Sequence, residues 1–350
     1  MLLCEKGMLW KYRQILNFYI RQSTRKEKNM LKAYKGKKRE IVKILKKENA
    51  LFLYAESGVI RLIPQNENII RVSYTEGEKF SEKQGEHIKY LDTEQFKNWR
   101  YIEKKEFIIL KTERLEIRIN KKTGSICFFK ANGELLLQEA EKESKITEEF
   151  DVYRTVVNEH IKTEEVETPD GIKRRIREAQ REFAGKSCHT KLQLVFQDKE
   201  ILFGLGQAEE GVWNLRHTTQ YLHQANLKIA IPSLLSNVGW GILLSTQSPV
   251  IFQDTQYGSY LYTEADEYLD YYFIAGDNLS ETVKGIRKLT GKAVMLPKWA
   301  FGYIQSQERY ETADEIVKTA EEFRKREIGL DALVLDWMSW EGNLWGQKTF

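Results

Sequence analysis

Cysteine is scarce in this chain: Cys4, Cys127 and Cys188 are the only three in 350 residues. They lie far apart, show no Cys-x-x-Cys or metal-ligand spacing, and cannot all pair with one another, which argues for a reducing compartment over a disulfide framework. Long apolar runs are missing as well. No stretch reaches the roughly 18 to 20 consecutive apolar residues that a bilayer span requires, so no membrane partner is expected. A secretory signal is also lacking, because Glu5, Lys6, Lys11 and Arg13 interrupt the opening MLLCEKGMLWKYRQILNFYI and leave no apolar h-region or small-residue cleavage site. A cytoplasmic location is the default expectation.

What is present is core-forming material. At 41% apolar and 12% aromatic residues, 350 residues suffice for about two globular domains. The net charge is +4, unevenly spread: residues 1–50 carry 15 Lys or Arg against 4 acids, a local +11, so the remainder sums to −7. A basic arm on an acidic body raises contact with nucleic acid. No aromatic interleaving, zinc ligands or helix-turn-helix pattern accompanies it, so the expectation is a solvated extension and no nucleic-acid partner. Alternating apolar and charged residues begin only after Met30, which marks Met30 as the expected natural start and residues 1–29 as an extension without comparable organisation.

From about residue 38 to 275, short alternating runs are separated by Gly, Asn, Asp and Pro signals, the pattern of an antiparallel sandwich. Strands are expected at 50–55, 58–63, 69–74, 107–111, 115–120, 125–130 and 192–196. Turns are expected at 120–124 and 131–133, where Gly and Asn can take positive φ. Between about 138 and 182 the chain becomes strongly charged and loses its periodicity. A hairpin tip at Pro169-Asp170-Gly171 and a solvated face are expected there.

Helical grammar appears first at 277–290, where Asn278 and Glu281 form a capping box and Leu279, Val283, Ile286 and Leu289 recur on one face. Gly291 ends that helix, placing a domain boundary near 292–297, with a sandwich over 30–292 and a second domain over 293–350. A second helix opens with the capping box Thr312 and Glu315, carries Ile316, Ala320 and Phe323 on one stripe, and is expected to stop at Gly329. It lies between strands expected at 300–304 and 332–335, the order of a right-handed βαβ unit. In a parallel barrel, chemistry collects at the C-terminal strand ends. Gln305 and Glu308 follow the first strand and Asp336 and Trp337 the second, with Trp340 and Trp345 close behind. Carboxylates, amides and indole rings together suit a sugar, whose hydroxyls bond to the former and whose C–H faces pack on the latter. His217 and His223 lack an Asp, Glu or Cys at metal-ligand spacing, so they are expected on a loop or strand surface, and no metal or cofactor is expected.

Four blocks carry a family resemblance: FGLGQ at 203–207, YLHQANLKIAIPSLLSNVGWGILLST at 221–246, LTGKAVMLPKWAFGYIQSQERY at 289–310 and LDALVLDWMSWEGNLWG at 330–346. Together they resemble glycoside hydrolase family 31 over about residues 50–350. The resemblance implies a mainly β fold, with a galactose-mutarotase-like N-terminal β-sandwich followed by the first two βα units of an incomplete (β/α)8 barrel. It also implies retaining α-glycosidase chemistry on an oligosaccharide or α-glycoside, as an α-xylosidase or α-glucosidase, in a full-length enzyme compatible with a homo-oligomer. Asp336 matches the strand-two aspartate that bonds hydroxyls of the sugar being cleaved, Trp337 would line the same pocket, and Gln305 and Glu308 match the loop after strand one. That loop lacks the aromatic of many α-glucosidases and looks more like the α-xylosidase branch. The family's Trp-x-Asp-Met-Asn-Glu-like nucleophile motif does not occur, so no catalytic residue is assigned within the chain, both reacting aspartates are expected beyond residue 350, and the chain as given is expected to be inactive. The resemblance also gives a substrate-facing loop after FGLGQ, with Gln207, Trp213, Asn214 and Arg216 as candidates. The alternative is a non-catalytic carbohydrate-binding or structural β-sandwich. Against it, LDALVLDW needs neighbours on both sides of a parallel sheet.

Overall fold

The computed structural model describes residues 38–77, 80, 88–89, 96–158, 160–168 and 171–336. The proposed start at Met30, the 1–29 extension, Cys4, and Trp337, Trp340 and Trp345 lie outside the described residues. In chain order the strands are β1 (Ile41–Lys47), β2 (Ala50–Ala55), β3 (Gly58–Pro64), β4 (Ile69–Thr75), β5 (Arg100–Glu103), β6 (Phe107–Lys111), β7 (Leu115–Asn120), β8 (Ile126–Lys130), β9 (Leu135–Glu139), β10 (Lys145–Thr155), β11 (Lys162–Thr168), β12 (Gly171–Glu178) and β13 (Arg181–Val195). There follow β14 (Leu202–Gln207), β15 (Thr219–Leu222), β16 (Ile229–Ser236), β17 (Trp240–Leu244), β18 (Val250–Thr255), β19 (Gly258–Asp266), β20 (Leu269–Ala275) and helix α1 (Leu279–Thr290). The last described elements are β21 (Ile304–Gln305), helix α2 (Ala313–Lys325) and β22 (Ala332–Leu333).

Two antiparallel sheets face each other. The first has the order β1-β2-β3-β4-β20-β17-β16-β14, and the second runs β15-β18-β19-β13-β9-β8-β7-β6-β5, with β10 also paired to β13. Their inner faces share one core in which Phe128 of β8 stacks on Phe273 of β20 at 3.9 Å between ring centroids. Tyr271 of β20 crosses the same gap to donate its hydroxyl to Glu139 of β9 at 2.8 Å. Glu139 also accepts from the backbone N–H of Ile126 and from the buried ammonium of Lys145, which donates further to Gly124 O and Ser144 Oγ. Burial pushes the Lys145 ammonium below its ordinary value, and Glu139 opposes that shift.

Strand β7 shows the alternation of a half-buried strand, residue by residue, whereas β4, β17 and β20 are buried along their whole length. Helix α1 covers part of their outer face, where Leu289 packs with Ile69, Leu243, Tyr272 and Ile274 in a second apolar cluster, while further along β4 and β20 the buried Arg71 and Ser73 both donate to Asp270. Gly285 makes that approach close, since a Cβ there would lie 2.3 Å from Ile274 Cγ2. The helical face therefore differs from the expected one. Thr282, Gly285 and Leu289 are buried, while Val283 is 46% exposed. The capping box at Asn278 forms as expected, except that the Glu281 carboxylate accepts from Asp277 N, one residue ahead of the cap.

The charged stretch after residue 138 is not irregular. It contains β10, β11, β12 and the start of β13, all extended and largely exposed. Opposite charges pair across the strands, as in Arg154–Glu182 at 3.0 Å and Lys162–Glu178 at 2.7 Å, which supplies cross-strand support without apolar periodicity. The hairpin pairing reaches Thr168 opposite Gly171, bracketing Pro169 and Asp170, which lie outside the described residues. The chain divides into two compact units, Met1–Asp151 with Lys186–Lys292, and Val152–Gly185 with Ala293–Phe350.

Candidate functional site

The segment after Pro297 begins with a single 3-10 turn, Lys298–Phe301, so the first strand starts later than expected and is only Ile304–Gln305. It pairs in parallel with β22, Ile304 opposite Ala332 and Gln305 opposite Leu333. Asp331 fixes this register: its carboxylate accepts from Tyr303 N at 3.1 Å, and Tyr303 O accepts from Asp331 N at 2.9 Å. Gly302 leaves the room required, because a Cβ there would fall 1.9 Å from Asp331 Oδ2. Thr312 caps α2 by accepting from Glu315 N at 3.1 Å, while Glu315 returns a bond to Glu311 N at 2.8 Å. Helix α2 ends at Lys325 with Arg326 as cap. Glu327, at φ 58, makes the left-handed turn, so Gly329 is not its terminator. Ile316, Ala320 and Phe323 are half-buried along one stripe, as expected, and Phe323 packs its ring 5.4 Å from that of Tyr303.

The parallel pairing places the loop after β21 and the loop after β22 at one end of the two strands. Gln305 is half-buried and accepts a 2.6 Å hydrogen bond from the Tyr303 hydroxyl, which orients its amide. Glu308 is exposed in the first loop, and Asp336 is exposed three residues beyond β22. A carboxylate offers only acceptors and an amide offers both donor and acceptor, which suits this end to holding hydroxyl groups. Tyr303 and Asp331 were not singled out from the sequence. Tyr303 works through a hydroxyl aimed at Gln305 and Asp331 through backbone bonds, and neither leaves a motif.

The other candidate group lies in the sandwich, after β14. Gly204, Leu205 and Gly206 are successive left-handed residues, at φ 108, 62 and 97. The pairing of β14 with β16 is irregular there, and Leu205 turns into the core at 7% exposure. Glycine is required at 206, where a Cβ would meet Ile229 O at 1.9 Å. Gln207 is exposed beyond the bulge, and Trp213 is 69% exposed with its ring 6.0 Å from Phe203. Asn214 and Arg216, by contrast, are committed to the fold. Asn214 Oδ1 accepts from Leu202 N and Arg216 N, and Arg216 donates to Asp254 at 2.7 Å and to the carbonyls of Gln197 and Glu200. Of those four candidates only Gln207 and Trp213 remain free to meet a ligand. His217, 78% exposed at φ 61, sits on the loop surface. A cleft of about 40 Å³ beside the bulge is lined in part by Gln207, Glu210 and Lys228. The Glu210 carboxyl is held below its ordinary range by its own backbone N–H and, less strongly, by Lys228.

Comparison with known proteins assigns both parts. Residues 59–252 match the glycosyl hydrolase 31 N-terminal galactose mutarotase-like domain, and residues 293–350 match the glycosyl hydrolases family 31 TIM-barrel domain. An α-xylosidase from Saccharolobus solfataricus is 42% identical over 147 residues, covering 42% of this chain and 20% of that protein. A family 31 glucosidase from Pseudescherichia vulneris is 24% identical over 300 residues, covering 85% of this chain and 53% of that one, so the chain spans about half or less of these relatives. In fold it is similar to the α-xylosidase of Xanthomonas citri, with a TM-score of 0.65 at 18% identity over 85% of this chain and 46% of the other. A soil-metagenome α-xylosidase complexed with xylose superposes with the same TM-score at 21% identity, over 86% and 42% of the two chains. With a mutarotase-like sandwich, the opening βαβ unit of a TIM barrel and both family models matched in order, the chain belongs to glycoside hydrolase family 31.

Proposed function

We propose that this chain supplies the sandwich and one wall of the sugar pocket of a retaining α-xylosidase or α-glucosidase, which releases a terminal α-linked sugar by double displacement. The observation that carries this reading is the parallel pairing of β21 with β22, which brings Gln305, the last residue of β21, to the same strand end as the segments bearing Glu308 and Asp336. In this reading Asp336 accepts from sugar hydroxyls, Gln305 is held ready by Tyr303, and Trp337 adds an apolar wall. The 42% identity to an α-xylosidase supports the xylosidase branch, against 38% over a shorter 82 residues to an α-glucosidase of Bacillus thermoamyloliquefaciens.

Double displacement needs two carboxyls about 5 to 5.5 Å apart, and Asp336 is assigned to binding, so residues 1–350 alone are expected to leave glycosides intact. Joining residues 1–350 to the remaining barrel of the Saccharolobus α-xylosidase tests the whole reading. Turnover of p-nitrophenyl α-xyloside should appear in the joined protein, be absent from residues 1–350, and fall by about 100-fold in kcat/KM with Asp336→Asn, about 3 kcal/mol of transition-state stabilisation. Turnover by residues 1–350 alone, or indifference to Asp336→Asn, would refute it.

A further inference from the structure

The outer face of the second sheet is buried, although no helix covers it among the described residues. Leu192 and Leu194 of β13 and Leu261 of β19 belong to the shared core. Alternation along each strand therefore turns Lys191, Tyr260 and Tyr262 to the opposite face, and the register sets Lys191 beside Tyr262. Ile146 of β10 joins the two tyrosines there in a small apolar cluster, with Ile251 of β18 packed against it. On an uncovered sheet these side chains would meet water. Instead Ile146 is 0% exposed, Tyr260 3%, Tyr262 5% and Lys191 5%. A lysine is almost never buried so deeply unless something pairs with it or covers it, and α1 packs on the other sheet.

We propose that residues 1–29 are this cover, a basic and aromatic strap laid across the outer face of the second sheet. The segment belongs to the same compact unit as Ile146, Lys191 and the two tyrosines, whereas residues 337–350 fall in the other unit. The described chain also begins beside the patch, because Arg39 lines a small cavity with Ser144 and Lys145, and Ile146 is the next residue. From Asn29 to Lys38 the chain can span up to about 30 Å, which is ample reach. The stretch through Ile88 and Lys89 is committed elsewhere, held at Leu289 of α1 over the first sheet.

Composition fits the face. MLWKYRQILNFYI at 8–20 holds nine large apolar or aromatic residues, two cations and no acid, and residues 1–29 carry seven Lys or Arg against two acids. Opposite them the outer face presents carboxylates. The Tyr262 hydroxyl donates to Glu264 at 3.3 Å, and one oxygen of Glu148 is buried without a hydrogen-bond partner. Burial, and then Glu264 and Glu148, push the Tyr262 hydroxyl above its ordinary value, so both carboxylates lie close to it. A basic segment laid there brings cations to these acids and apolar groups to Ile146 and the rings.

Acylation of the native 350-residue chain with a water-soluble succinimidyl ester, read by mass spectrometry, measures the access to each ammonium. Lys191 should react at least about tenfold more slowly than the exposed Lys199, as a stable cover requires. Leu16→Asp combined with Phe18→Asp should bring Lys191 to the rate of Lys199, while Lys145 stays protected in the core and shows that the sandwich is folded. Protection of Lys191 in that variant would overturn the proposal. Should the variant unfold and expose Lys145 too, a zero-length cross-link in the unaltered chain decides. Carbodiimide joins a carboxylate to an ammonium in contact with it, and it should tie Glu148 or Glu264 to Lys6, Lys11, Lys26 or Lys28. Links from these two carboxylates to Lys348 instead, or none to the four lysines, would equally overturn it.

Discussion

Asp266, the last residue of β19, carries a negative charge in a place that does not favour it. Burial is the main cause, with Asp270 and Glu267 adding repulsion, and hydrogen bonds from Thr263 and Thr246 only partly offset them, so its carboxyl is pushed up to about 6 from an ordinary 3.8. Because the folded value lies above the unfolded one, the native state holds a proton between about pH 4 and 6 that the unfolded chain has released. Stability from this group is therefore present at low pH and lost as pH rises through about 6. A shift of about two pKa units corresponds to about 3 kcal/mol lost at neutral pH. Asp266→Asn removes the charge and keeps an oxygen to accept from Thr246. The variant should be more stable than wild type by about 2 to 3 kcal/mol near pH 7.5 and equal to it near pH 4, measured by urea unfolding followed through tryptophan fluorescence. The difference between the two proteins is the quantity to read, since other carboxylates titrate alike in both. A variant destabilised at pH 7.5, or a difference that does not change with pH, would refute the account.

Two further substitutions probe how the sandwich is held. Gly285→Ala should lower the melting temperature, because the clash with Ile274 costs about 1 to 3 kcal/mol and outweighs the gain of about 1 kcal/mol in helix propensity. A higher melting temperature would mean that α1 can lift off the sheet without penalty. Lys145→Met should cost about 3 to 5 kcal/mol in chemical denaturation by stranding the Glu139 charge in the core. Adding Glu139→Gln should restore much of the loss, and a double variant as unstable as the single one would show that the ammonium serves the fold through Gly124 and Ser144 instead.

Strands that carry apolar runs between turn residues were legible in the sequence, β4 among them although it is buried on both faces. β6 and β7 occupy the expected 107–111 and 115–120, with Ile108 and Leu110 of the first and Leu115, Ile117 and Ile119 of the second in the shared core; β7 alternates strictly, whereas Ile109 of β6 is buried as well. β8 begins one residue later than expected, at Ile126. Strands β11 and β12 were opaque because they are largely exposed, so no apolar period marks them, and opposite charges pair across them. Val283 fits a helical stripe, yet the close approach of α1 runs through Gly285, a residue that carries no hydrophobic signal. The positions of Gln305 at the end of the first strand and Asp336 beyond the second were legible, although the second strand stops at Leu333, two residues short of the expected 335. Tyr303 and Asp331 were not, since their roles exist only once the two strands lie side by side. Arg216 and Asn214 look like ligand-binding groups in the sequence, but their bonds are satisfied by the fold.

The position of β20 between β4 and β17 has a consequence for how the protein is made. β1 to β4 are complete by residue 75, yet the strand that closes β4 on its open side is not synthesised until residues 269–275. At about 5 to 20 residues per second, the intervening roughly 200 residues take about 10 to 40 s. Throughout that interval IIRVSYT presents an unpaired, strongly β-forming edge, the kind that recruits other strands. The nascent chain thus passes through a long window in which its first sheet is half a surface, and only the arrival of β20, with Asp270 reaching Arg71 at 2.7 Å, ends it.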